Sequence, residues 1–373
     1  MNAIIIDDEP LAIDSLTIML NQTKMVNLLN SYTIFDPDKE TDILKQIDIV
    51  FLDIEMPEMN GLELAEKIYT INPNIEFVFV TAHEQYVTQA YELNITDYIL
   101  KPVHFNKLIT TVNRIQKDKE TKKEPSLPLS QTIHIHFCGA FAIHINNMVE
   151  DIPWRTSKSQ ELFLYLLHHQ DEIISKSDLA STFWPKFNEE RVYSQLYNTV
   201  YHARKALSKW PNHFQILNHG NGYCLTTKQV EVDVFQWEEK FLNLPPLHRE
   251  TIKDYEEVLR VCKGNYLPGF EYKWLKGWRK KLEQKWLKGA FAITKYFHQT
   301  KNTEAMEHWL VEITKRSPLE MSAHLKLMKL YAKLGYGVLV DHQFRTYDAA
   351  CQQANKRPSK AILVWYNNWK ELK

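Results

Sequence analysis

The sequence predicts a multidomain protein: a doubly wound α/β domain, then a smaller α+β domain, then an all-α domain. Three observations carry this. Over the first third of the chain, short apolar runs alternate with helical patterns. A charged, proline-bearing stretch follows, and after it come alternating strands, three helices and a glycine-turned hairpin. Beyond residue 233 the periodicity is helical throughout. At 373 residues the chain is long enough for two or three separate cores.

In order, the first part reads strand Ala3–Ile6, helix from Pro10, strand near Leu28–Ile34, helix near Lys39–Ile47 and strand Ile49–Leu52. Helix Gly61–Ile71, strand Glu76–Val80, helix Glu84–Leu93, strand Asp97–Leu100 and helix Phe105–Gln116 complete it. Short connections between alternating elements imply a right-handed, parallel sheet covered on both faces, so its strands are apolar without a break. In such sheets chemistry sits at the carboxyl ends of the strands. Those ends carry Asp7-Asp8-Glu9, then Asp53, then Thr81, then Lys101-Pro102, whose X-Pro bond is a candidate for cis.

Two acids, an acid, a hydroxyl and a lysine at successive strand tips resemble the receiver domain of two-component response regulators. The resemblance implies the strand order 2-1-3-4-5, which puts Asp7 and Asp8 beside Asp53. Three adjoining carboxylates repel one another unless a cation is present, and an all-oxygen set suits Mg2+. Asp53 is then the phosphoacceptor, taking a phosphoryl group from a donor histidine. Asp7, Asp8, Asp53 and the Glu55 backbone carbonyl are the expected metal ligands. Lys101 and Thr81 are expected on the phosphoryl oxygens, and Tyr98 as the aromatic that follows the threonine. Singly, such residues are usually caps or solvated side chains; the order of the five types is what gives them weight.

Residues 118–131 form a linker containing Pro125 and Pro128. The α+β domain spans 132–228. Strands Ile133–Phe137 and Phe141–Ile145 alternate, which places their histidines on a solvated face rather than around a metal. Ser157–His169 is an amphipathic helix, and Ser175 caps a second that ends near Trp184-Pro185. The third helix, about Glu189 to Lys209, turns Leu196, Val200, Ala203 and Leu207 to the core. Its opposite face collects Arg191, Ser194, Asn198, Tyr201, His202, Lys205 and Lys209, the inventory of a helix that reads the major groove. Such a face is more often merely solvated. The hairpin Phe214–Leu217 and Tyr223–Leu225, turned at Asn218–Gly222, supplies a wing beside it.

This looks like an OmpR-like winged helix. With Ala203-Arg204-Lys205-Ala206-Leu207, Gly222-Tyr223-Cys224-Leu225 and Val232-Asp233-Val234-Phe235 it resembles the antibiotic regulatory protein (SARP) type of activator. Ala203 departs from that pattern, where a larger aliphatic is usual. Residues 233–373 carry helices Phe235–Leu242, Thr251–Cys262, Trp274–Gln299, Glu304–Lys315, Glu320–Leu334, Val338–Ala354 and Ala361–Leu372, a tetratricopeptide-like stack. Tyr266–Phe270 and Arg357-Pro358-Ser359 resemble landmarks of the bacterial transcriptional activation domain. Seven of the ten tryptophans fall here, and filling a stacked core is their simplest role.

The net charge of −1 hides an asymmetry. Residues 1–120 hold nine Lys/Arg against twenty Asp/Glu, so the remainder is basic and open to attraction by DNA. Four scattered cysteines with no C-x-x-C spacing suggest a reduced protein without disulfides or zinc. With no leader and no apolar run of membrane length, the expectation is a cytoplasmic protein with no membrane contact.

Together these features predict a DNA-binding transcription regulator, with activation as the family expectation. It would be switched by a sensor histidine kinase and would contact RNA polymerase or another protein through its helices. A homodimer is possible, although the segment His83–Leu93 has no Lys or Arg for crossed salt bridges. The alternative is a phosphorylation-gated adaptor that uses the helical repeats and binds DNA weakly. An enzyme finds no site beyond phosphoryl acceptance.

Overall fold

The computed structural model describes residues 1–57, 59–82, 98–121, 131–146, 148–186, 189–262 and 264–372, with residues 118, 120, 121 and 189–191 by their backbone. The chain divides into two compact units, Met1–Thr132 with Asp151–Val230, and Ile133–Glu150 with Glu231–Lys373.

The first unit contains a five-stranded sheet of β1 (Asn2–Ile6), β2 (Asn27–Tyr32), β3 (Ile49–Asp53), β4 (Glu76–Thr81) and β5 (Tyr98–Leu100). Its order is β2-β1-β3-β4-β5, as expected, and every pairing is parallel. Side chains alternate between two cores, as the period of two requires. Ile4, Ile6, Val50, Leu52, Phe77 and Phe79 face one way, and Ala3, Ile5, Ile49, Phe51, Val78 and Val80 the other. The second core is covered by Ile13, Leu16 and Leu20 of helix Pro10–Thr23 and by Leu108, Val112 and Ile115 of helix Phe105–Thr121. The first is covered by helix Gly61–Ile71, and Tyr197 and Tyr201 also pack against it. The segment Glu84–Leu93, expected as a helix, lies outside the described residues.

Helix Phe105–Thr121 runs into the stretch expected as linker. Its extra turn is held by an ion pair, Lys119 Nζ lying 2.7 Å from Asp48 Oδ1. Residues 122–130 lie outside the described residues.

The same unit holds helices Ser157–His168, Lys176–Phe183 and Glu189–Leu207, with a three-stranded sheet. Thr156 and Ser175 cap the first two through Ser159 N and Asp178 N. Leu196, Val200, Ala203 and Leu207 are at most 3% exposed, so the apolar stripe faces a core as its spacing predicts. Phe214–Asn218 and Gly222–Thr227 form the antiparallel hairpin, turned through Gly220 at φ +76°.

The second unit begins with strands Ile133–His136, Ala142–Ile145 and Met148–Val149, edged by Val230–Val232. These strands were expected with the three helices that follow them. Their contacts fall instead with the helical part, where the backbone amides of Phe137 and Cys138 donate to the Asp233 carboxylate at 2.8 and 3.1 Å. Among the described residues seven helices follow: Asp233–Leu242, Ile252–Val261, Leu275–Gln299, Thr303–Arg316, Met321–Lys333, Gly337–Gln353 and Lys360–Glu371. Trp237, Trp286 and Trp309 are buried between them. Two of these reach polar partners, Trp286 Nε1 on the Leu259 carbonyl and Trp309 Nε1 on Glu256.

The cysteines require a correction. Cys138 and Cys262 are joined as a disulfide, 124 positions apart, while Cys224 and Cys351 are free and buried. Spacing along the chain carries no information about such a long-range approach, here a Cα–Cα distance of 5.2 Å.

Candidate functional site

The sheet register brings the predicted residues together. Ile6 lies beside Leu52, Asp53 beside Val80 and Thr81 beside Leu100, so the next residues of β1 and β5 meet Asp53 at one end of the sheet. Asp7 is 3% exposed, Asp53 6% and Thr81 fully buried. Lys101 follows β5, its amide donating to the Thr81 carbonyl at 2.8 Å, and a cis peptide bond joins it to Pro102.

Lys101 Nζ sits 2.8 Å from Asp53 Oδ2, 2.9 Å from Asp7 Oδ2 and 3.0 Å from Glu9 Oε2. Burial by itself lowers the affinity of this ammonium for its proton, but bonds to Asp53, Asp7 and Glu9 outweigh it and the net shift is upward. Asp7 is raised above the ordinary carboxylate range by burial, partly offset by Lys101 and by the Glu9 amide. The other Asp53 oxygen accepts from the Ile54 amide at 2.6 Å.

Ligand oxygens of Asp7, Asp8 and Asp53 lie within 4.8 Å of one another. A hard all-oxygen donor set with surplus negative charge fits Mg2+. Asp8, Glu55 and Asn60 line an open cleft beside this cluster. Gly61 closes the loop behind Asp53: its amide donates to the Ile54 carbonyl, and a Cβ there would lie 1.9 Å from the Asp53 carbonyl oxygen. Gly61→Ala is expected to displace Asp53 and to cost at least ~1–3 kcal/mol, the usual range for overpacking. An unchanged urea midpoint would show that the loop yields freely.

A family model for the response regulator receiver domain matches residues 3–113. The sensory transduction protein LytR of Staphylococcus epidermidis is 31% identical over 198 residues, 47% of this chain and 78% of that protein. The chain belongs to the response regulators. The transcriptional regulatory protein LytR of Staphylococcus aureus is 34% identical over 149 residues, 40% of this chain, and the chain spans about 61% of that relative's length. The EmbR structure of Mycobacterium tuberculosis, in complex with a low affinity phosphopeptide, covers 65% of this chain and 66% of its own at a TM-score of 0.45 and 11% identity.

In this response regulator the third helix, Glu189–Leu207, does not offer its polar face to solvent. That expectation is corrected by burial: Ser194 is 7% exposed, Asn198 6% and His202 3%. The face lies against the receiver. Asn198 Oδ1 accepts a 2.7 Å hydrogen bond from the Tyr98 hydroxyl. Tyr201 meets Phe77 and Phe79 edge-on at 6.2 and 6.4 Å, and Phe79 stacks on Tyr98 at 5.1 Å. Lys205 Nζ is 3.1 Å from Glu76, and Ser194 walls the cleft beside Asp8. Among these residues Lys209 remains exposed, its ammonium over the Trp210 ring. The Arg191 side chain lies outside the described residues.

Sequence reasoning missed a buried ion pair of this regulator. Arg204 Nη1 is 2.7 Å from Glu66 Oε2 of the receiver, with both side chains at most 5% exposed. Arg204 also donates to the Ile216 carbonyl at 3.0 Å and lies 4.3 Å over the Tyr69 ring. One signal was present. Arg204 stands between Val200 and Leu207 near the buried stripe, and a cation in that position needs a buried acid.

Proposed function

We propose that this response regulator is a cytoplasmic, phosphorylation-gated, DNA-binding regulator of transcription, held closed when its receiver covers the third helix. The observation that carries this is the Tyr98–Asn198 hydrogen bond, which joins the receiver's switch aromatic to the centre of the proposed reading face.

A sensor histidine kinase supplies the phosphoryl group. An Asp53 carboxylate oxygen attacks phosphorus, a P–O bond forms, the P–N bond to the donor imidazole breaks, and the imidazole leaves with the electron pair. Asp7, Asp8, Asp53 and the Glu55 carbonyl would hold Mg2+, which supplies neutralising charge when bound. Lys101 exchanges its carboxylate partners for a phosphoryl oxygen, and the Thr81 hydroxyl donates to another. Drawing Thr81 toward the phosphoryl opens room beside Tyr98, whose rotation breaks its bond to Asn198 and shifts the Phe79–Tyr201 contact.

Freed from the receiver, Ser194, Asn198, Tyr201, His202, Lys205 and Lys209, with Arg191, meet promoter DNA as a winged helix of SARP type. The tetratricopeptide-like helices serve as an activation domain toward RNA polymerase or another protein.

The test is binding to duplex from the protein's own upstream region at fixed salt, with acetyl phosphate and Mg2+ present so that the face is free. Asn198→Ala and Lys205→Ala are each expected to lose about 1–3 kcal/mol if they read bases. Parent-like affinity in both would remove the third helix from the DNA interface.

A further inference from the structure

Helix Leu275–Gln299 of the second unit carries a face that neither the receiver chemistry nor the stacked core uses. Between residues 273 and 288 there are seven cations and one acid. Arg279 is turned inward onto the carbonyls of Tyr266, Leu267 and Phe270, and Lys285 is paired with Glu238. The acid, Glu283, accepts from Ser317 of the next helix. That leaves Lys273, Lys276, Lys280, Lys281 and Lys288 exposed, with no ion-pair partner among the described residues. At about 100° per residue the four on the helix, Lys276, Lys280, Lys281 and Lys288, share roughly one 140° arc. The Lys281 ammonium is steadied 4.2 Å over the Trp278 ring.

A second observation points to a ligand. Gly277 lies in the middle of this face, is exposed, and has nothing within 4 Å of the position a Cβ would take. As the third residue of this helix it is less favourable than alanine, and no packing contact on its own unit accounts for it. Glycine is the residue that lets another group approach the backbone closely. Unpaired cations around such an approach fit an extended polyanion. From Lys276 to Lys288 the helix rises about 18 Å, the length of roughly five phosphates along one DNA strand.

We propose that this face is a second DNA contact, binding the phosphate backbone of duplex DNA without reading sequence. It rests on the DNA-binding reading above and adds to it a surface outside the winged helix. The contact would anchor the chain on duplex and raise affinity equally for every sequence.

The experiment uses the full chain with acetyl phosphate and Mg2+, titrated across salt against its own upstream region and a random-sequence duplex. Lys276, Lys280, Lys281 and Lys288 are changed together to Gln. The control changes Lys329, Lys333, Lys356 and Lys360 to Gln, an equal charge loss elsewhere on the same unit. The expected result is weaker binding to both duplexes, a salt slope smaller by roughly 2–4, and an unchanged preference between them. The control keeps the parent slope. Gly277→Gln is expected to raise the urea midpoint while weakening both duplexes, a split that a purely structural glycine does not produce.

If the fourfold variant keeps the parent slope while Asn198→Ala and Lys205→Ala lose preference, this proposal fails and the winged-helix reading stands. If the two recognition-helix variants keep parental affinity and preference while the fourfold variant loses affinity, that reading fails and the basic face stands. Loss of polyglutamate binding with DNA binding intact would assign the face to an acidic protein and overturn the proposal.

Discussion

Asp53→Asn is expected to abolish phosphoryl incorporation from acetyl phosphate, from about one group per chain to none detectable. Asparagine keeps the size of the side chain and can still accept the Ile54 amide, so the strand tip is preserved. It loses the nucleophilic carboxylate and removes one of the three acids around Lys101. Stability should change little, because relief of repulsion with Asp7 offsets the lost attraction to Lys101. The contrast is therefore in chemistry and not in folding, and both are measurable on one sample. Removing Mg2+ with a chelator should slow incorporation into the parent sharply, since the incoming phosphoryl group would then face uncompensated carboxylates. If Asp53→Asn still incorporates label at the parental rate, the acceptor is Asp7 or Asp8, and the assignment of roles within the pocket fails.

Glu66→Ala is expected to open the closed arrangement without phosphorylation. It leaves the Arg204 guanidinium buried against Tyr69 with no carboxylate, and removing one partner of a buried pair costs about 3–5 kcal/mol. That cost falls on the closed arrangement alone, because in the open one Arg204 reaches water. A shift of this size moves the equilibrium by roughly two to four powers of ten, enough to change a mostly closed population into a mostly open one. Unphosphorylated Glu66→Ala should therefore bind duplex nearly as well as the phosphorylated parent. Arg204→Ala is the poorer variant, since Arg204 also holds the Ile216 carbonyl of the hairpin. Glu66→Gln, which keeps a hydrogen-bond acceptor but drops the charge, should fall between. Parental weak binding in a well-folded Glu66→Ala would mean that the pair does not hold the receiver on the helix.

The receiver pocket was legible because its signals are local. Each apolar strand leads into a residue expected at the site, and the parallel order then brings Asp7, Asp8, Asp53, Thr81 and Lys101 to one edge. The apolar stripe of the third helix was equally readable, since Leu196, Val200, Ala203 and Leu207 had only one way to be buried. Its polar face was not. Asn198, His202 and Lys205 look the same in a sequence whether water, DNA or another domain lies opposite, and here Tyr98, Phe77 and Glu76 lie opposite. The grouping of strands Ile133–Val149 with the later helices depends on Asp233, about 95 positions away, receiving the amides of Phe137 and Cys138. The Cys138–Cys262 pairing is likewise a product of tertiary approach that spacing could not disclose.

The central claim is that phosphorylation of Asp53 uncovers the third helix. It is tested most directly by the affinity of the full chain for its own upstream duplex, with and without acetyl phosphate and Mg2+, in parent and Asp53→Ala. The account predicts that affinity rises with the phosphoryl donor in the parent and stays low in the variant. Equal affinity in all four conditions would contradict it, and would mean that the Tyr98–Asn198 contact does not gate the DNA-binding face.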